Sequence, residues 1–176
     1  MGVRIFDIKK DITGEIIYGV ADTVLGTACI AVWDGKVIAL KFADGEVPGF
    51  ADDLKRAYKN VRLSENNSFA KELLDNILSA GDKAVFDVAV CGSPFKLEVY
   101  RALAGVPYGT KVTYSWLAAA AGHPKAIRAA ASAIARNEAA VLIPCHRVVR
   151  TDGGLGGYRW GIERKEALLA AECKKR

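Results

Sequence analysis

Ala139-Ala140-Val141-Leu142-Ile143-Pro144-Cys145-His146-Arg147-Val148 (residues 139–148) sets a thiol beside an imidazole at the end of an apolar run. The run reads as a core strand closed by Pro144, leaving Cys145 and His146 at a half-buried pocket. Cysteine is a strong nucleophile once it is a thiolate, and an imidazole relayed to a carboxylate can take its proton. Adjacent side chains diverge, so this reading includes a bridging water between the two. The competing reading is a small buried cysteine that ends a strand, with a histidine that caps a loop.

Upstream of this run the chain reads as helical. Thr113 caps a helix through Ala121, Gly122-His123-Pro124 makes a turn, and Lys125 to Arg136 forms the next helix with Pro124 at its start. Helix, tight turn and helix make a helix-turn-helix pattern. Alanine covers several faces of the second helix, which leaves Arg128 and Arg136 as its long cations and lets its backbone approach another surface closely. The same alanines would serve ordinary helix packing. A further helix, Phe95 to Ala104, follows the turn Cys91-Gly92-Ser93-Pro94, which divides the chain into units 1–91 and 92–176. Downstream, Thr151-Asp152-Gly153-Gly154-Leu155-Gly156-Gly157 is too rich in glycine for regular structure. It fits neither a P-loop nor a dinucleotide fingerprint. A last helix from Glu163 to Cys173 carries Glu172.

The amino-terminal half reads differently. Strands are expected over 16–23, 26–33 and 36–42, the last two joined as a hairpin through Asp34-Gly35. Helices are expected from Asp52 to Asn60 and from Ser68, as N-cap, to Ala80, closing at Gly81, and one more strand from Ala84 to Val90. The fold class is α+β, with a small amino-terminal α/β domain built on a sheet and a mostly helical carboxy-terminal domain.

At 176 residues, 51% hydrophobic and 26% charged, the composition is that of a globular chain. Its net charge of +5 is unevenly held. Residues 1–90 carry 11 Lys+Arg against 14 Asp+Glu and residues 91–176 carry 14 against 6, so the halves differ in sign at −3 and +8. A basic second half points to a polyanion, because cations that neutralise phosphates release condensed counterions. The start, Met1 to Asp7, lacks a secretory apolar region, and no run of about 20 residues is apolar enough to span a bilayer. A cytoplasmic protein with no membrane partner is expected. Cys29, Cys91, Cys145 and Cys173 show no CxxC spacing and the only histidines are His123 and His146, so no metal site is expected. A Cys29–Cys91 disulfide is not expected in a reducing cytosol.

Taken together, Lys125-Ala126-Ile127-Arg128-Ala129, Asn137, Ile143 to Val149 and Gly157-Tyr158-Arg159-Trp160-Gly161 resemble, in order and spacing, the O6-alkylguanine-DNA alkyltransferase family, from about Phe95 to Glu172. The resemblance implies direct, irreversible and stoichiometric transfer of an alkyl group from guanine O6 in DNA to Cys145, with no cofactor. O4-alkylthymine is a candidate second substrate. It implies that His146 takes the thiol proton, Glu172 orients the imidazole, Tyr114 protonates the departing purine, and Asn137 holds the turn before the cysteine. Arg128, Ala129, Lys125, Ser132 and Tyr114 would bind DNA, with Arg128 filling the stack as the nucleotide is extruded. Val148, Gly156, Tyr158, Arg159 and Pro144 would form the base pocket. The implied partner is double-stranded DNA with alkylated guanine, and the chain would act as a monomer. The sequence departs from many relatives at Ala131, where they have Gly, and at Glu138 and Ala140, where they have Pro.

Two alternatives remain open on the residues themselves. One is a helix-turn-helix protein that senses lesions with an inert Cys145. The other is a Cys-His hydrolase of small substrates, which would turn over repeatedly and ignore DNA.

Overall fold

Ala28, Ile30 and Val32 alternate with Cys29 and Ala31, and the two sets are buried in different apolar clusters. Successive side chains of a strand point to opposite faces, so this strand lies inside a sheet covered on both sides. The structure, a computed structural model, describes residues 1–43, 49–81 and 84–174. Its main sheet has six strands: β1 (Gly2–Asp7), β2 (Thr13–Thr23), β3 (Gly26–Trp33), β4 (Lys36–Phe42), β5 (Asn60–Glu65) and β6 (Val85–Val90), in the order β1-β6-β4-β3-β2-β5. β2, β3 and β4 form an antiparallel meander, while β1–β6, β4–β6 and β2–β5 pair in parallel. The β3–β4 turn places Asp34 and Gly35 at φ 48° and 71°, the left-handed pair that a two-residue hairpin requires.

Helix α1 (Phe50–Ala57) buries Phe50 and Leu54 in one cluster, and α2 (Asn67–Ser79) buries Ala70, Leu74 and Ile77 in the other. Gly19 lets α2 lie directly on β2, since a Cβ there would come within 2.6 Å of the Asn66 carbonyl oxygen and 2.7 Å of Ala70 Cβ. The structure corrects several boundaries. α1 ends at Ala57, and Asn60 opens β5, a strand that the helical reading of Asp52 to Asn60 hid; β1 was likewise unforeseen. The N-cap of α2 is Asn66, whose side chain accepts from the Phe69 N–H, and not Ser68; the C-cap is Ala80, not Gly81.

The second half contains α3 (Pro94–Ala104), β7 (Val112–Thr113), α4 (Tyr114–Ala120), α5 (Ile127–Ala135), β8 (Val148–Val149) and α6 (Ile162–Lys174). Ser93 caps α3 and Thr113 caps α4, each accepting from a backbone N–H. α5 is shorter than the expected Lys125 to Arg136, and Pro124 stays in the preceding turn instead of entering the helix. One apolar cluster runs from β3 and α2 through α3, α4 and α5 to residues 139–145, so the sheet and the helices share a core. No helix among the described residues is long and apolar enough to cross a membrane.

The run 139–143 is not a core strand. It touches the sheet through a single bridge, with Leu40 N–H donating to the Glu138 carbonyl and Ala140 N–H to the Leu40 carbonyl, at 2.7 and 2.8 Å. It then winds through tight turns, with Val141 at φ 67°. A β-branched residue in that region costs on the order of 1–3 kcal/mol and persists only where its surroundings over-determine it. The determinant is Asn137.

Candidate active site

Asn137 has no exposed surface and uses both ends of its amide. Its Oδ1 accepts from the Ala139 N–H at 3.0 Å, while Nδ2 donates to the Ile143 carbonyl at 2.9 Å and to Cys145 Sγ at 3.3 Å. One side chain therefore stands where a strand ladder would have been, and it aims the thiol. Cys145 opens a short 3-10 helix, Cys145–Arg147, whose exit β8 pairs in parallel with β7. Burial pushes the Cys145 thiol up to about 11, although the Asn137 hydrogen bond, Lys165 and Arg159 pull it down. At rest the sulfur is a protonated thiol, and ionisation has to be coupled to a base.

His146 is fully buried, with Nε2 2.8 Å from Glu172 Oε1. Burial would raise the Glu172 carboxyl, but hydrogen bonds from His146 and Arg147 outweigh it and hold it at about 2. Glu172 is thus an ionised acceptor, which places the imidazole proton on Nε2 and the lone pair on Nδ1. Nδ1 is buried and has no hydrogen-bond partner among the described residues. Burial, opposed by Glu172, keeps the imidazole toward its neutral form. The other oxygen of Glu172 accepts from the Gly109 N–H at 2.9 Å.

Arg147 is the residue that the sequence reading passed over. It is 1% exposed and grips Glu172 with Nε at 3.0 and 3.2 Å and Nη2 at 2.9 Å, while Nη1 donates to the Val106 carbonyl at 2.7 Å. Its guanidinium lies over the Tyr108 ring, 5.4 Å from the centroid. An arginine in a basic half reads as surface charge until α6 is folded against the 3-10 helix. Lys165, on α6 and fully buried, escaped notice for the same reason.

Cys145 reaches a cavity of about 410 Å3 lined by Tyr114, Ala131, Ile134, Ala135, Gly157, Tyr158 and Arg159. Of the expected pocket residues, Tyr158 and Arg159 line it. Val148 and Pro144 are buried and do not. Gly156 at φ 70° permits the close approach of Tyr114, whose hydroxyl would lie 2.9 Å from a Cβ at that position. Arg159 also donates to the Asn137 carbonyl at 3.0 Å, tying the pocket rim to the turn that holds the thiol. The Tyr158 hydroxyl is buried without a hydrogen-bond partner among the described residues, and its ring meets Trp160 edge-on at 5.3 Å. Ala131, Ile134 and Ala135 were not expected in the pocket; they are there because one face of α5 forms its wall.

Arg128 is exposed and lines a neighbouring groove with Tyr114, Ser115, Ile127, Ala131, Arg150, Thr151 and Asp152. Tyr114 and Ala131 border both groove and pocket. Ala129 and Ser132 line a different cavity, beside Ser93, Phe95 and Lys96, so the expected DNA-contacting residues of α5 occupy two sides of the helix. Lys125 is exposed in the turn before α5 and borders none of these. No group of three His, Cys, Asp or Glu side chains is placed to hold a metal ion among the described residues.

Comparison with known proteins bears on this site. Residues 94–174 match the family model of the 6-O-methylguanine DNA methyltransferase DNA-binding domain. The Methanosarcina barkeri methylated-DNA–protein-cysteine methyltransferase is 34% identical over 159 residues, covering 88% of this chain and 96% of that protein. The Escherichia coli bifunctional transcriptional activator/DNA repair enzyme Ada is 34% identical over 161 residues, 89% of this chain. The chain spans about half the length of the Ada proteins it matches, 45% for Escherichia coli and 46% for Salmonella typhimurium. Among solved structures, Mycobacterium tuberculosis OGT in complex with DNA superimposes with a TM-score of 0.72 at 27% identity, covering 90% of this chain and 94% of that one.

Proposed function

The chain belongs to the methylated-DNA–protein-cysteine methyltransferase family, and from that membership we propose that it repairs duplex DNA by moving the alkyl group of O6-alkylguanine irreversibly to Cys145. The observation that carries the reading is a buried thiol, aimed by Asn137 at a base-sized cavity, beside an imidazole that Glu172 and Arg147 fix in one tautomer. The Cys145 proton passes, through a water, to His146 Nδ1. The thiolate attacks the sp3 alkyl carbon in line, an S–C bond forms and the C–O bond breaks. Its electron pair returns to the guanine, which takes a proton from the Tyr114 hydroxyl. A thioether is not displaced under mild conditions, so each molecule acts once. O4-alkylthymine stays a candidate second substrate.

Guanine O6 takes part in base pairing, so the nucleotide has to leave the stack first. The pair α4 and α5 acts here as the helix-turn-helix, with Arg128 entering the duplex and residues 92–176 as the functional unit. Exposed cations of this half supply salt-sensitive phosphate contacts. A thiol that has to stay reduced suits the cytoplasm.

Intact-protein mass spectrometry after incubation with excess methylated duplex tests the reading. One methyl group per molecule, on Cys145, is expected. Several product guanines per protein, or methyl on Cys29, Cys91 or Cys173, would refute it. Arg128→Ala is expected to slow transfer from duplex DNA by on the order of tenfold while leaving transfer from the free base O6-benzylguanine nearly unchanged, because only the duplex must give up stacking energy. Equal losses on both substrates would assign Arg128 to folding or chemistry instead.

A further inference from the structure

Methyl transfer asks for no cation beside the alkyl carbon, because a methyl group is neutral and apolar. Yet Arg159 lines the Cys145 pocket, the sole charged side chain to do so among the described residues. Its guanidinium is held in two ways. Nη1 donates to the Asn137 carbonyl at 3.0 Å, and Cζ lies 5.8 Å from the centroid of the Trp160 ring. Asn137 also donates to the Cys145 sulfur, so thiol and charge are tied to one residue. The charge is felt at the sulfur, where it favours the thiolate.

Other cations nearby are already matched to partners. Arg147 grips Glu172, Arg150 pairs with Asp152 at 2.7 Å, and Lys165 donates to the carbonyls of Val148 and Gly157. Arg159 has no carboxylate partner among the described residues: Glu138 borders a second cavity with it but forms no ion pair with it. A guanidinium carries five N–H donors in a planar fork that matches a carboxylate. The bond to Asn137 uses Nη1 and leaves other donors at the pocket for a guest.

We propose that Arg159 sets the substrate preference of this pocket toward O6-alkyl groups that end in a carboxylate, of which O6-carboxymethylguanine is the smallest. The proposal rests on the transfer reading above. The carboxylate accepts from the guanidinium while the thiolate attacks the methylene carbon beside it. The S–C bond forms and the C–O6 bond breaks, its electron pair returns to the guanine, which takes the Tyr114 proton, and Cys145 is left as S-carboxymethylcysteine.

Preference is measured as a ratio, so that any effect of the charge on thiol ionisation cancels. Full-length wild-type, Arg159→Gln and Arg159→Lys proteins are given duplexes that carry O6-carboxymethylguanine or its neutral amide, O6-carbamoylmethylguanine. Without DNA they are given iodoacetate or iodoacetamide, which deliver the same two groups, and alkylation of Cys145 is followed by peptide mass. The anionic-to-neutral rate ratio of the wild type is expected to exceed that of Arg159→Gln by roughly fivefold in both pairs, the upper end for a partly exposed ion pair. Arg159→Lys is expected to keep most of the preference, and the excess should shrink as salt rises.

An unchanged ratio in Arg159→Gln would overturn the proposal. So would equal slowing of both members, which together with weaker duplex binding would make Arg159 a phosphate contact. If Arg159→Gln does not fold, the wild type decides: at low salt its iodoacetate-to-iodoacetamide ratio has to exceed that of Cys145 in the denatured protein and has to fall toward it at high salt. A ratio at the denatured value, or one indifferent to salt, would overturn the proposal. Absence of transfer from every duplex, a methylated one included, would instead sink the proposed repair function, while the two iodo reagents would still report on Arg159.

Discussion

Cys145→Ser protein is expected to bind alkylated duplex DNA as the wild type does and to transfer nothing. The substitution removes one polarisable sulfur and little volume, in a site where Asn137 still has an oxygen to bond. A serine hydroxyl is far less acidic than a thiol and a weak nucleophile toward an sp3 carbon, and His146, kept toward neutrality by burial, cannot make up the difference. The proposed function assigns binding to other parts of the molecule: exposed Arg128, Lys125 and the rest of a half that carries +8. Affinity of the variant should fall with rising salt along the same slope as the wild type, because the slope counts neutralised phosphates. The measurement is a labelled-duplex titration over a salt series, run beside a transfer assay. A folded variant that cannot bind at low salt, or one that still transfers, would end the separation of thiol chemistry from DNA binding.

The largest effect on stability is expected at Arg147. Arg147→Met leaves the Glu172 carboxylate buried with His146 and the Gly109 N–H as its partners among the described residues, and breaking one side of a buried ion pair costs about 3–5 kcal/mol. For a chain of this size that lowers the midpoint of thermal unfolding by roughly 6 to 20 °C. Arg147→Met/Glu172→Gln removes both charges and should recover part of the loss, a non-additivity measurable by a double-mutant cycle. The sign with pH follows from the carboxyl. Glu172 is held at about 2 in the folded protein against an ordinary 4.5, so its contribution, about 3 kcal/mol, is present above about pH 4.5 and is lost as pH falls through 2. Without Arg147 the folded carboxyl is less depressed, so the loss on acidification is smaller and is complete at a higher pH. Equal acid unfolding profiles for wild type and Arg147→Met would contradict this account. Additive single and double variants would show that the two charges do not act as a pair.

The hairpin strands 26–33 and 36–42, the Asp34-Gly35 turn, the Thr113 cap and the adjacency of Cys145 and His146 were legible in the chain, because each is a local rule of backbone or neighbour chemistry. β1 and β5 were not: they pair in parallel with β6 and β2, strands far away in sequence, and exposed residues hide their pattern. The run 139–143 misled for a related reason. Its apolar residues are buried, but its backbone bonds go to the Asn137 amide and to tight turns, a choice that composition does not encode. The amino-acid order by itself set the thiol beside the imidazole, and the motif resemblance added Asn137 and the Glu172 carboxylate. Only the tertiary structure decided that Arg147 and Lys165 are interior cations and that α5 walls the pocket. A charge on a helix looks solvated until the packing of α6 removes its water, and its partners are then whatever carboxylate or carbonyls the fold has brought within reach.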